Sequence, residues 1–203
     1  MSEQRAADLR IVMVEANDAD ADKIVGVLRD AGIAASFKRV ETQEGLEDVL
    51  DHFRPDVVLS EYSLPLIDYR TTIKIVQCLR PRTPVIVVGG LLRSEDSGAC
   101  FRAGAESFVS KLNLSVLPVA IRSAVEARAP LHKLTARQME VMQLVASGYR
   151  TREVAEALKL SEKTVESHRH QLMRKLGLES TASLVRYAIR CGFAVVSPLM
   201  AMP

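Results

Sequence analysis

The feature that most constrains the fold is a set of short, nearly unbroken Val/Ile stretches recurring through the first 127 residues of this 203-residue chain. They are Ile11–Val14, Ala34–Phe37 (the weakest), Val57–Leu59, Val85–Val88 and Phe108–Val109. Amphipathic stretches of helical period lie between them, near Asp18–Ala31, Gln43–His52, Ile67–Leu79, Arg93–Ala103 and Val116–Ala127. A strand with one wet face alternates apolar and polar residues, whereas a run without alternation is buried on both faces. Repeated strand–helix alternation of this kind predicts a parallel sheet covered by helices on each side.

Five such units predict an α/β, doubly wound, flavodoxin-like (βα)5 domain. Functional groups in such sheets gather at the carboxyl ends of the strands. Here those ends are Glu15-Ala16-Asn17, Ser60-Glu61-Tyr62, Gly89-Gly90 and Ser110-Lys111.

Charge divides the chain differently from hydropathy. Residues 1–130 hold 16 Lys and Arg against 19 Asp and Glu; residues 131–203 hold 11 against 6. An acidic first part joined to a basic second part suits a sensor joined to a nucleic-acid binder. The expected organisation is a domain over 1–127, a linker over 128–133, a helical domain over 134–192 and an apolar, proline-broken tail over 193–203. Pro130 ends the last helix of the first domain.

The region 134–192 reads as four short helices. Thr135 with Gln138 fits a capping box. Met139, Met142, Leu144 and Val145 form an apolar face, and Gly148 closes the helix. Thr151 is placed to cap the second helix and Ser161 the third, with Glu162 near the positive end of its dipole. Ser180 is placed to cap the fourth, which carries Leu184, Val185, Ala188 and Ile189. On the third helix Val165, Leu172, Met173 and Leu176 recur at helical spacing and belong to a core. The rest of that helix, Lys163, Thr164, Glu166, Ser167, Arg169, His170, Gln171, Arg174 and Lys175, is polar and largely cationic. Such a face suits a DNA major groove, with N-terminal residues at base edges and flanking cations at phosphates. His168 and His170 stand two apart, on different helix faces, and are not a metal pair.

Leu134-Thr135, Arg137, Glu140-Val141, Gly148, Glu153-Val154-Ala155, Leu158, Ser161, Thr164-Val165, His168, Lys175-Leu176 and Ala188 together resemble the LuxR-type helix-turn-helix of bacterial transcription regulators. The resemblance implies double-stranded DNA as ligand, a third helix in the major groove and a homodimer, often formed through the fourth helix. The DNA-binding set is then Lys163, Thr164, Glu166, Ser167, Arg169, His170, Arg174 and Lys175. Glu166 could accept a hydrogen bond from a cytosine amino group, or orient Arg169 or His170.

The first domain is similar to the receiver domain of two-component response regulators. Pro55-Asp56-Val57-Val58-Leu59, Leu64-Pro65 and Asp68 match the run around the phosphoaccepting aspartate, and Lys111 matches the lysine after the fifth strand. The resemblance implies a pocket of Glu15, Ala16, Glu61, Gly89 and Lys111, and each departure from the pattern weakens its chemistry. Glu61 stands for the aspartate. Ala16 removes a carboxylate that would hold magnesium. Gly89 has no hydroxyl where the family has Thr or Ser, and Phe108 lacks a phenol group. Glu61 is one methylene longer, and displacing a nucleophile by about 1 Å costs ~100-fold. The expectation is an atypical receiver without a cofactor and without conventional aspartyl phosphorylation. A Glu61–Lys111 ion pair could imitate the phosphorylated state or serve structure alone. A partner kinase or regulator remains an alternative.

The remaining expectations are negative. The polar N-terminus MSEQRAADLR has no signal-peptide core, and no apolar run reaches membrane-spanning length, so a cytoplasmic location is expected. Cys78, Cys100 and Cys191 read as buried, reduced thiols. No nucleophile–base set, phosphate loop or metal cluster suggests an enzyme.

Overall fold

The structure, a computed structural model, describes residues 8–90 and 94–193. The chain divides into two compact units, Met1–Glu126 and Ala127–Pro203.

The first unit is the expected doubly wound α/β domain. Its strands are β1 (Leu9–Val14), β2 (Ala35–Val40), β3 (Val57–Glu61), β4 (Val85–Gly89) and β5 (Ser107–Ser110). They pair in parallel in the order β2-β1-β3-β4-β5. Helices α1 (Asp18–Asp30), α2 (Gln43–Phe53), α3 (Tyr69–Leu79), α4 (Ser94–Ala103) and α5 (Leu117–Arg128) connect them. Period-two alternation splits each central strand between two cores. Ile11, Met13, Val57, Leu59, Ile86 and Val88 pack with Ile24, Leu28, Leu117 and Ile121 on one face. Val12, Val14, Val58, Val85 and Val87 pack with Leu46, Leu50, Ile73 and Val76 on the other. Strand β2 is an edge strand with a half-exposed pattern, which is why its apolar run is the weakest.

Short polar side chains start the helices on the side where the pocket forms. Asn17, Thr42 and Asp68 accept from the backbone N–H groups of Asp20, Gly45 and Thr71. Such caps satisfy donors the helix cannot use itself. One expectation fails here: Cys78 is exposed, although Cys100 and Cys191 are buried. On α3 the inward positions are Ile73 and Val76, and Cys78 falls two residues past them on the solvent side.

The second unit holds α6 (Ala136–Ala146), α7 (Thr151–Leu158), α8 (Glu162–Leu176) and α9 (Thr181–Arg190). The segment read as a linker contains a short 3-10 helix, Ala129–Lys133, whose Leu131 is buried in this unit's core. That core joins Val141, Met142, Val154, Val165, Leu172, Leu184 and Ala188. The capping box is formed: Gln138 N donates to Thr135 Oγ1 (3.2 Å) and Thr135 N to Gln138 Oε1 (3.1 Å). Ser161 and Ser180 cap α8 and α9 as expected. Thr151 does not cap α7. The N-cap is Arg150, whose backbone N–H meets Glu153 (2.7 Å), and Thr151 is the first helical residue. Among the described residues no helix is long and apolar enough to cross a membrane. The tail from Ala194 on and the extreme N-terminus, both read above, lie outside the described residues, as does Arg93.

Candidate functional site

The carboxyl ends of β1, β3 and β5 converge on one ammonium group. Lys111 Nζ donates to Glu15 Oε2 (2.7 Å) and Asp20 Oδ2 (2.8 Å), and forms an ion pair with Glu61 Oε2. The remaining oxygens of the two glutamates are held by backbone: Asn17 N donates to Glu15 Oε1 (2.9 Å) and Tyr62 N to Glu61 Oε1 (3.0 Å). Only 6% of the Glu15 side chain, 12% of Glu61 and 19% of Lys111 is exposed, so water screens these charges little.

Electrostatics follow from three acids around one base. Burial alone would depress the Lys111 pKa, but hydrogen bonds to Asp20, Glu15 and Glu61 outweigh it and hold the ammonium charged far into the alkaline range. Asp20 is lowered, by Lys111 and then by Lys23. Glu61 is raised, first by burial and then by the charge of Glu15, with Lys111 opposing. Three acids face the Lys111 ammonium, and Glu61 is the member pushed toward its protonated form.

The expected Glu61–Lys111 pair is present, and Asp20 is the member that sequence reading missed. The signal was there in part. Asn17 caps α1, and the third residue of the first turn, Asp20, points back toward the strand ends. Ala16 is exposed and contributes no oxygen. Gly89 is buried and pairs with Ser110, whose hydroxyl reaches the carbonyl of Gly90 (3.4 Å). Phe108 is half-buried against the α2–α3 core. Next to Glu61, the Tyr62 ring stacks on buried Tyr69 with centroids 4.8 Å apart. A divalent ion does not fit this donor set. All three carboxylates already meet an ammonium, and among the described residues no His/Cys/Asp/Glu group is arranged to hold a metal.

On α8 the expected residues separate into three groups. Lys163, Ser167, His170 and Arg174 are exposed and follow one another at spacings of four, three and four, which makes one stripe. Thr164, Glu166 and Arg169 are engaged locally. Thr164 serves the cap, its N–H and hydroxyl both meeting Ser161. Glu166 accepts from Thr151 Oγ1 (2.9 Å) and from Arg169 Nη2 (2.5 Å).

Lys175 forms the third group, turned inward and away from the stripe. Its ammonium donates to Gln138 Oε1 (2.8 Å) and the Lys133 carbonyl (2.9 Å), tying α8 to the start of the unit. Helical spacing puts residue 175 beside Leu172, hence its inward direction. His168 is half-buried, and its Nδ1 makes no hydrogen bond. Glu166, Arg169, His170 and Met173 also line a groove of about 290 Å³ together with Ser180 and Thr181.

With this geometry in place, the relatives are informative. Residues 132–188 match the family described as bacterial regulatory proteins, luxR family. A Pseudomonas aeruginosa protein named as a transcriptional regulator is 32% identical over 158 residues, covering 67% of this chain and 76% of that protein. The oxygen regulatory protein NreC of Staphylococcus aureus is 46% identical over 61 residues, but this covers only 30% of this chain and 28% of NreC.

Two solved structures share the fold. RcsB of Salmonella typhimurium superposes with a TM-score of 0.52 at 23% identity, covering 89% of this chain and 96% of RcsB. The signal receiver domain of NarL from Mycobacterium tuberculosis gives 0.53 at 17% identity, covering 59% of this chain and 97% of that domain. The chain belongs to the LuxR family of bacterial regulatory proteins, with an α/β unit of receiver-like fold preceding the helix-turn-helix.

Proposed function

We propose that this protein is a transcription regulator that binds double-stranded DNA as a homodimer through α8, and that aspartyl-type phosphorylation does not switch it. The observation that carries the second half is the Lys111 ammonium seated among Glu15, Asp20 and Glu61. Phosphoryl transfer requires in-line access and cations that take up developing charge. In this pocket the nearby cation is already neutralised, and the would-be nucleophile is ion-paired and held by the Tyr62 N–H. The DNA half rests on family membership and on the exposed stripe Lys163, Ser167, His170 and Arg174.

Footprinting of the full chain on genomic fragments tests DNA binding, with a specific site expected whose affinity falls steeply with salt. No specific site even at low salt sinks the reading. Incubation with magnesium and a small phosphodonor, followed by intact-mass measurement, tests the receiver. An unchanged mass is expected, and a phosphoryl adduct on Glu61 overturns that half alone.

A second reading has one observation behind it. Leu112, Val116 and Val119 are exposed by 72%, 45% and 64% around the start of α5, an apolar face suited to a protein partner such as a kinase or another regulator. A stoichiometric partner in pull-downs, lost on V119E, would favour a receiver that acts mainly by protein contact.

A further inference from the structure

The Glu166 carboxylate touches a residue of another helix and one of its own at once. One oxygen accepts from the hydroxyl of Thr151, the first residue of α7; the other accepts from Arg169, one turn further along α8. The Arg169 side chain is 28% exposed, against 47% for Glu166, so the guanidinium lies partly against the protein. A guanidinium carries five N–H donors in a rigid fork, and Glu166 occupies only part of it. The other donors remain for a planar, two-acceptor target such as a guanine edge or a phosphate. A long side chain fixed before binding loses less rotamer freedom on binding.

We propose that Glu166 is a positioning residue and that Arg169 is the specificity-determining group it presents to DNA, with Thr151 fixing the carboxylate from α7. This rests on the DNA-binding reading above. It also decides between two roles for Glu166, because a carboxylate bridging Thr151 and Arg169 serves the arginine rather than a cytosine.

The test is selection of binding sites from a random duplex library by the full chain, with wild type, R169A, E166A, T151V and the double variant E166A/R169A. R169A lowers preference at one base-pair position by about 5- to 150-fold, the range of a lost bidentate contact. E166A and T151V relax that same position, T151V less, and the double variant relaxes it no further than R169A alone. E166Q, which keeps the shape and can still meet Thr151, retains part of the preference.

Thermal melts of each variant separate these effects from loss of folding, since a purely structural role lowers stability without selecting one base pair. Should E166A relax a position that R169A leaves intact, or the double variant be additive, Glu166 reads DNA itself and the proposal is overturned. Should the wild-type chain enrich no sequence, the DNA-binding reading falls and takes this proposal with it.

Discussion

Carboxylates meet cations at both functional regions of this molecule, with opposite results. At the strand ends three acids enclose one ammonium, nearly out of water, and their charges are consumed where they stand. On α8 one acid meets one guanidinium at a half-exposed surface, and donors are left over for something outside. The same chemistry locks a site when it is buried and crowded, and primes one when it is open and short of acceptors. The first unit thus turns its charges on one another, whereas the second leaves donors facing outward.

The sharpest way to break this contrast is to empty the cage. K111M leaves three carboxylates facing one another, and removing one partner of a buried ion cluster typically costs about 3–5 kcal/mol. Denaturant unfolding of the full chain should show that loss in the first unit. A near-neutral result would mean that water already screens the pocket.

The next comparison lies within α8, between adjacent residues. K175A removes charged hydrogen bonds to Gln138 and the Lys133 carbonyl and should cost about 1.5–3 kcal/mol in thermal or chemical melts. R174A should stay within about 0.5 kcal/mol of wild type and instead reduce the salt dependence of DNA binding by about one unit of slope. If both variants lose DNA binding and neither loses stability, the inward placement of Lys175 is wrong.

Acidity gives a smaller effect with a definite sign. Asp20 is held below its ordinary 3.8, so its contribution to stability is full above that value and lost as pH falls through the lowered one. Urea melts from pH ~5 downward should steepen in wild type relative to D20N.

Glu61 runs the opposite way. Its pKa is raised above 4.5, so the stabilising contribution belongs to the protonated form and is lost as pH rises through the folded value. E61Q should therefore melt no lower than wild type at neutral pH. A clear drop would show that the Lys111 contact outweighs burial.

Much of this was legible in the chain itself. Val/Ile runs without alternation point to strands buried on both faces, and the parallel sheet with its helices follows from that; the meeting of Glu61 with Lys111 was implied by the resemblance to receiver domains. Caps at Thr135, Ser161 and Ser180 were readable because a hydroxyl and an amide three residues apart suffice. What escaped needed tertiary direction. Asp20 joins Lys111 across 91 positions of sequence. Thr151 looked like a cap because it is a threonine at a helix start, but its hydroxyl goes to another helix. Lys175 looked like a phosphate contact because it is cationic, although its rotation about α8 turns it inward.

The Lys111 cage has a further consequence, in its permanence. A divalent ion bound from solution exchanges and can be stripped by a chelator or diluted away. A cation carried on the fifth strand's own chain is intramolecular, with an effective concentration that no change in the medium alters. Under the proposed function, the first unit leaves the ribosome in a single setting. On that reading, regulation moves from the condition of each molecule to how many molecules there are, through synthesis, degradation and the mass action of the proposed dimer.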